Sequence, residues 1–235
     1  KEMAFHTAQT TKKVMVVGAG PGGLNVAWVA ARRGHDVHLF ERQSQLGGQL
    51  TLGSITHYKR ELRKLIRFQT KQMERFGVTC HLNREVTPDT LKNHSPDVVI
   101  LATGSAPAYP QIDGIDNALV ISIDAALNGH GRAREKTVVV GGGPTGCEIA
   151  LHLSEKGYRV TIVEVLSKLA SQLESMTKKI LLRKLMENKV IFKTNCRVIR
   201  IEKNGVIIAE KDGGQVTLPA DQVVFSIGNR PEDDL

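Results

Sequence analysis

Apolar residues in this chain fall into two copies of one pattern. An unbroken run at 13–17 predicts a short strand, an alanine- and valine-rich stretch at 22–33 stopped by Gly34 predicts a helix, and 36–40 predicts a second strand. Residues 137–140, 144–156 and 159–163 fill the same three roles later. The runs at 98–101 and 223–226 read as one further buried strand in each half. Between 59 and 76, Leu62, Leu65, Ile66, Met73 and Phe76 interleave with Lys59, Arg60, Arg63, Lys64, Arg67, Lys71 and Arg75, which predicts an amphipathic helix with a cationic outer face. At 197–201, 206–209 and 215–218 the pattern changes to short strands with glycine-containing breaks, a small antiparallel meander.

The two copies share a register. Gly18, Gly20, Pro21 and Gly23 recur 123 residues later as Gly141, Gly143, Pro144 and Gly146. Gly34, Val37 and Glu41 recur at the same offset as Gly157, Val160 and Glu164, and Gly104 and Pro107 recur one residue further on as Gly228 and Pro231. Parallel strands joined through a helix require a right-handed crossover, so the fold class is α/β: two Rossmann-like dinucleotide-binding units, the second carrying the meander. The segment 105–114, with Pro107, Pro110 and Gly114, reads as the linker, dividing the chain into domains 1–111 and 112–235.

Each G-x-G-x-x-G follows a strand and opens a helix. The first glycine allows the tight turn, the second lets backbone approach a diphosphate at the helix N-terminus, and the third lets helix and strand pack closely. An acid about 20 residues on accepts hydrogen bonds from the adenosine ribose hydroxyls, the place of Glu41 and Glu164. The candidate binding residues are therefore Gly18, Ala19, Gly20, Pro21, Gly22, Gly23, Glu41 and Arg42 in the first unit, and Gly141, Gly142, Gly143, Pro144, Thr145, Gly146, Glu164 and Gly228 in the second. Two signals assign FAD to domain 1–111 and NAD(H) to domain 112–235. Ala102-Thr103-Gly104 ends a strand with a glycine that permits close passage beside a flavin nucleotide, and Leu46-Gly47-Gly48-Gln49-Leu50 follows Glu41 with paired glycines that admit the flavin-side phosphate. Taken alone, the 46–50 run is equally readable as an ordinary turn.

Composition narrows the class. At 235 residues, 41% hydrophobic and 24% charged, this is a globular chain, with no apolar run of the ~18 residues a membrane span needs and no signal-peptide core, so a cytoplasmic protein is expected. The net charge of +8 suits nucleic acid, anionic membrane or acidic cofactors alike, but aromatic content is only 4% and no base-stacking motif is present. The cationic helix face is read as solvated, with neither nucleic acid nor membrane as a partner. Cys80, Cys147 and Cys196 form no C-x-x-C pair, which argues against a redox disulfide, an iron–sulfur cluster or zinc within the chain, and each is expected to be a small buried hydrophobe.

Residues 13–17 into the glycine turn, Arg33-Gly34-His35-Asp36-Val37, Glu41 into 46–50, 97–104 and 141–148 together resemble the pyridine-nucleotide-disulfide-oxidoreductase superfamily. More narrowly, they are similar to the FAD/NAD half of 2,4-dienoyl-CoA reductase, 2-enoate reductase and related NADH:flavin oxidoreductases. That resemblance implies an N-terminal TIM barrel carrying FMN and a four-iron (4Fe-4S) cluster as the partner of this half, and hydride transfer from nicotinamide C4 to flavin N5 with no catalytic acid or base. It also implies that Val86 lies near the FAD adenine through its backbone, Gln49 near the flavin, and Glu148 beside the nicotinamide or its ribose; Glu148 is equally readable as a solvated helix carboxylate. The barrel, the cluster cysteines and the Gly-Asp motif that follows the second domain in such proteins are not in this sequence. With Lys1 first and Leu235 last, the expectation is a fragment that lacks the return completing its flavin domain and folds without catalysing. Two other readings stand beside it: a reductase of another carrier, of ferredoxin or glutamate-synthase type, and a non-catalytic adenine-nucleotide module.

Overall fold

The computed structural model describes residues 5–129 and 136–232; Lys1 and Leu235, on which the fragment expectation rests, lie outside them. The chain divides into two compact units. One ends at Ala106 and takes the chain back from Pro231 onward; the other is Pro107–Arg230. The division therefore falls at 106/107 rather than at 111/112. The expected linker belongs largely to the second unit, where Ile201 donates its N–H to the Asp113 carbonyl at 2.9 Å.

In the first unit the order is β1 (Lys13–Val17), α1 (Pro21–Arg32), β2 (Asp36–Glu41), α2 (Gln49–Gly53), α3 (Leu62–Arg75), β3 (Thr79–Leu82), α4 (Pro88–His94), β4 (Val98–Leu101) and β5 (Ser105–Pro107), the last running across the division. Strands β3-β2-β1-β4 form one parallel sheet. Alternation along β1 sends Val14 and Val16 into a core with Leu24, Trp28, Leu39 and Met73, while Met15 and Val17 pack on the other face with Phe40 and Val86.

The second unit continues with β6 (Val120–Ile121), α5 (Ile123–Asn128), β7 (Lys136–Val140), α6 (Pro144–Glu155), β8 (Arg159–Glu164), α7 (Ser175–Glu187), β9 (Ile191–Thr194), β10 (Arg197–Glu202), β11 (Gly205–Ala209), β12 (Gln215–Pro219), β13 (Gln222–Phe225) and β14 (Asn229–Pro231). Its parallel sheet has the order β6-β13-β7-β8-β9, and β10-β11-β12 form the expected antiparallel meander. Val198, Ile201, Val206 and Ile208 of the meander pack on Val138, Val140, Val223 and Phe225 of the sheet.

The repeat persists at the level of single bonds. Lys13 donates its N–H to Asp97 Oδ2 at 2.7 Å, and Lys136 donates to Asp221 Oδ2 at the same distance. Gly18 donates to the Phe40 carbonyl, and Gly141 to that of Val163, both at 2.8 Å.

Three sequence expectations fail where only one side of an element is covered. The strand 98–101 is not fully buried: Val98 and Ile100 meet the core, but Val99 is 40% and Leu101 51% exposed, because β4 lies at the sheet edge. Its counterpart β13 lies between β6 and β7 under the meander, which buries Val223 and Phe225. Cys80 is exposed, since β3 is the opposite edge; Cys147 and Cys196 are buried as expected. Leu65 of the cationic helix faces outward, and its buried residues are Gln69 and Met73.

Candidate functional site

Each unit builds a cradle from its glycine turn. Gly18 has φ +100°, and a Cβ there would stand 2.4 Å from the Ala102 carbonyl oxygen; Gly141, at φ +105°, would meet that of Ser226 at 2.3 Å. A Cβ on Gly23 or Gly146 would lie 1.9 Å from the Gly18 or Gly141 carbonyl oxygen, so these glycines are demanded by the fold itself. Gly20 and Gly143 differ. Their φ values of −68° and −66° suit any residue, and a Cβ on either meets nothing within 4 Å. Each is the N-cap of its helix, with no side-chain cap and no acidic residue in the first turn. The result is open space before uncapped backbone N–H groups, which fits a diphosphate.

The two acids lie beside those turns. Glu41 is 8% exposed; its Oε2 accepts the Ala19 N–H at 2.7 Å and its Oε1 the Gln43 N–H at 2.8 Å. Glu164, also 8% exposed, accepts from Gly142 at 2.6 Å and Leu166 at 2.8 Å. One bond to each oxygen fixes the carboxylate and leaves lone pairs for hydroxyl donors, the chemistry a ribose diol needs.

The remaining first-unit candidates gather around this cradle. Gly48, at φ +51°, packs so closely that a Cβ would lie 2.9 Å from Gly20 Cα. Gln49 opens α2 and donates through Nε2 to the Ser105 carbonyl at 2.6 Å, which carries it to the end of the Ala102-Thr103-Gly104 segment; Leu50 beside it is half-buried. Ala102 is held by its N–H on the Val17 carbonyl at 2.8 Å. The Val86 side chain is buried with Met15, Val17 and Phe40. Arg42 pairs with Glu232 at 2.8 Å. Pro21 and Gly22 are exposed in the first turn of α1.

In the second unit Pro144 and Glu148 are half-buried on α6, Thr145 is exposed, and Gly228, at φ +123°, is exposed beyond β13. Gly142 stands where the first unit has Ala19. A Cβ there would meet Leu169 Cδ2 at 2.3 Å, because Leu169 closes over this turn. Burial pushes the Cys147 thiol up to about 12, and its Sγ donates to the Gly142 carbonyl at 3.4 Å. A cavity lined by Tyr109, Ile112, Asp116, Val120 and Ser122 holds none of the candidates.

Three contributors were missed in the sequence. Gly47 donates its N–H to the Ala19 carbonyl at 2.9 Å, and Ala170, at the equivalent place in the repeat, donates to that of Gly142 at 2.7 Å; extending the 123-residue offset would have found it. Leu169 stands at the same 123-residue offset from Leu46 and was legible in the same way, whereas Glu232 carried no sequence signal. Among the described residues no group of three or more His, Cys, Asp or Glu is arranged to hold a metal, and no helix is long and apolar enough to cross a membrane.

The chain is 37% identical over 228 residues to the NADH oxidase of Thermoanaerobacter brockii, a match covering 95% of this chain and 35% of that protein. It is 33% identical over 238 residues to the cinnamate reductase of Clostridium sporogenes, covering all of this chain and 35% of the relative. The solved structure of 2-naphthoyl-CoA reductase in complex with 2-naphthoyl-CoA superposes with a TM-score of 0.93 at 34% identity, over 99% of this chain and 35% of that one. The chain thus spans about a third of the length of these relatives. The resemblance to enoate- and acyl-CoA-reducing flavoproteins holds, and the doubled glycine cradle falls within residues 12–235, which match the sequence profile of one family: this chain belongs to the pyridine nucleotide-disulphide oxidoreductases.

Proposed function

We propose that the first unit holds FAD, the second NAD(H), and that the chain is the NADH-to-FAD electron-transfer module of a larger flavoenzyme reducing enoates or (di)enoyl-CoA thioesters. The observation that carries this reading is the doubled cradle: space left open over Gly20 and Gly143, each beside a buried glutamate fixed by the same turn. When bound, the nicotinamide supplies a hydride from C4 and the flavin accepts it at N5. The chain's own work is to bind and orient. Backbone amides at the starts of α1 and α6 hold the diphosphates, and Glu41 and Glu164 hold the ribose hydroxyls. The Val86 backbone takes the adenine of the first unit, Gln49 orients the flavin side beside Ser105, and Glu148 lies toward the nicotinamide ribose. Names among the relatives support NADH as donor and an enoate or CoA thioester as final acceptor. FMN and a 4Fe-4S cluster belong, in this reading, to a barrel domain outside these 235 residues.

The test is a pair of crossed titrations. Gly20→Val should abolish FAD binding and leave NADH binding, and Gly143→Val should do the reverse, because a β-branched side chain fills the diphosphate space of its own unit only. Loss of both ligands with either substitution would sink the assignment of one cofactor to each unit.

A further inference from the structure

We propose that Glu232 is a positioning residue for the first-unit dinucleotide, holding the Arg42 guanidinium in place beside Glu41; the proposal rests on the assignment of FAD to that unit. The internal repeat provides the control. Both units end their second strand with a glutamate whose two oxygens accept the same pair of backbone bonds, from Ala19 and Gln43 in one and from Gly142 and Leu166 in the other. The turn therefore forms without a cation, and Val165 occupies the place of Arg42 in the second unit. Arg42 is a feature of the first unit that its backbone does not require.

A second difference points to the same partner. Thr103 corresponds in the repeat to Ile227, so its hydroxyl too is peculiar to the first unit. That hydroxyl donates to the Glu232 carbonyl, and the Glu232 N–H donates to the Gly104 carbonyl at 3.0 Å. Glu232 is thus fixed through its backbone to the segment ending β4, and its side chain reaches Arg42, with Nη2 donating to Oε2 at 2.8 Å. Two residues that distinguish the units converge on one glutamate.

Stability does not account for the pair. The Arg42 side chain is 55% exposed and that of Glu232 32%, a range in which ion pairs add little. Orientation does account for it. A guanidinium presents five donors in a rigid fork, one bond to Glu232 restricts its rotamers, and the remaining donors stay available to anionic or hydroxyl oxygens of an adenosine diphosphate. An arginine held before the ligand arrives loses less entropy on binding.

The experiment measures FAD affinity of the flavin-stripped protein by fluorescence titration, with NADH affinity and thermal midpoint in parallel. Glu232→Gln and Arg42→Ala should each weaken FAD about five- to tenfold, as expected for a charge-assisted contact, with NADH affinity unchanged. The double variant should be no weaker than Arg42→Ala alone, because Glu232 acts through Arg42. The exchanged pair Arg42→Glu with Glu232→Arg should keep the thermal midpoint but not FAD affinity, a split that a purely structural latch would not produce. Wild-type FAD affinity in Glu232→Gln, additive losses in the double variant, or recovery of FAD affinity by the exchanged pair would each overturn the proposal while leaving the cofactor assignment standing. Failure of the wild-type protein to bind FAD would overturn the assignment itself, and this proposal with it.

Discussion

Glu164 closes the glycine turn it serves: its Oε2 accepts the Gly142 N–H at 2.6 Å, which fixes the carboxylate that the proposed function assigns to the adenosine ribose. A 2′-phosphate brought to that place removes a hydroxyl donor and sets like charges close together. NADH should therefore bind more tightly than NADPH by about tenfold or more, ~1.4 kcal/mol. Lys168, exposed in the segment that follows the end of β8 at Glu164, offers the opposing charge and sets the limit on that preference. Replacing Glu164 with Ala should narrow the NADH preference, and equal affinities in the wild-type protein would show that this carboxylate does not meet the ribose.

The glycines of one motif should respond in opposite ways. Gly20→Ala and Gly143→Ala meet no neighbour and keep an ordinary φ, so each unit should stay folded, with its thermal midpoint nearly unchanged and its nucleotide affinity reduced. Gly23→Ala and Gly146→Ala force a Cβ to within 1.9 Å of a backbone oxygen and should lower the midpoint sharply. Differential scanning calorimetry beside ligand titration separates the two classes. Equal destabilisation by all four would contradict the open space over Gly20 and Gly143.

Alkali should weaken the second unit through Cys147. Its thiol titrates near 9 when unfolded and is pushed up to about 12 by burial in the native protein, so the unfolded chain loses its proton first. Stability is then fully present below about 9 and falls as pH rises toward about 12. Urea midpoints measured across this range should slope less in Cys147→Ala. At pH 8 a thiol reagent should modify exposed Cys80 in the native protein and all three cysteines after denaturation.

Acid should act on the first unit. His38 Nδ1 and His81 Nε2 lie 3.1 Å apart, a bond that needs one of the two nitrogens as an unprotonated acceptor. Burial, with His38, His94 and Arg84 nearby, holds the His81 pKa below its ordinary 6.5. The unfolded chain takes up the proton first as pH falls, so this contribution is present above about 6.5 and is lost below it. His81→Phe should flatten the acid limb of a stability–pH curve; an unchanged limb would remove His81 as its source.

Equivalent strand positions should carry different weight. Phe225→Ala empties a site sealed by the meander and should cost about 3–5 kcal/mol. Leu101→Ala, at the matching place on the exposed edge of β4, should cost less than about 1 kcal/mol. Chemical denaturation of both variants makes the comparison, and similar losses would mean that Leu101 is covered in solution.

Residue pattern was enough to specify the strand–glycine turn–helix–strand units, the meander and the two acids. Those features depend on neighbours close along the chain: Gly18 and Gly141 need a positive φ, and period-two or helical alternation follows from backbone geometry. The repeat strengthened them, since Glu41 and Glu164 mark the same place twice. Which apolar residues are covered was settled by packing between distant segments. Val99-Ile100-Leu101 and Val223-Val224-Phe225 read alike, yet one strand ends a sheet and the other lies beneath a meander. Cys80 and Leu65 face outward for the same reason, because burial depends on what packs against an element and not on its own pattern. The bonds joining Thr103, Arg42 and Glu232 were equally illegible: they link residues 129 and 190 positions apart, and no local periodicity records a contact closed only by the folded chain.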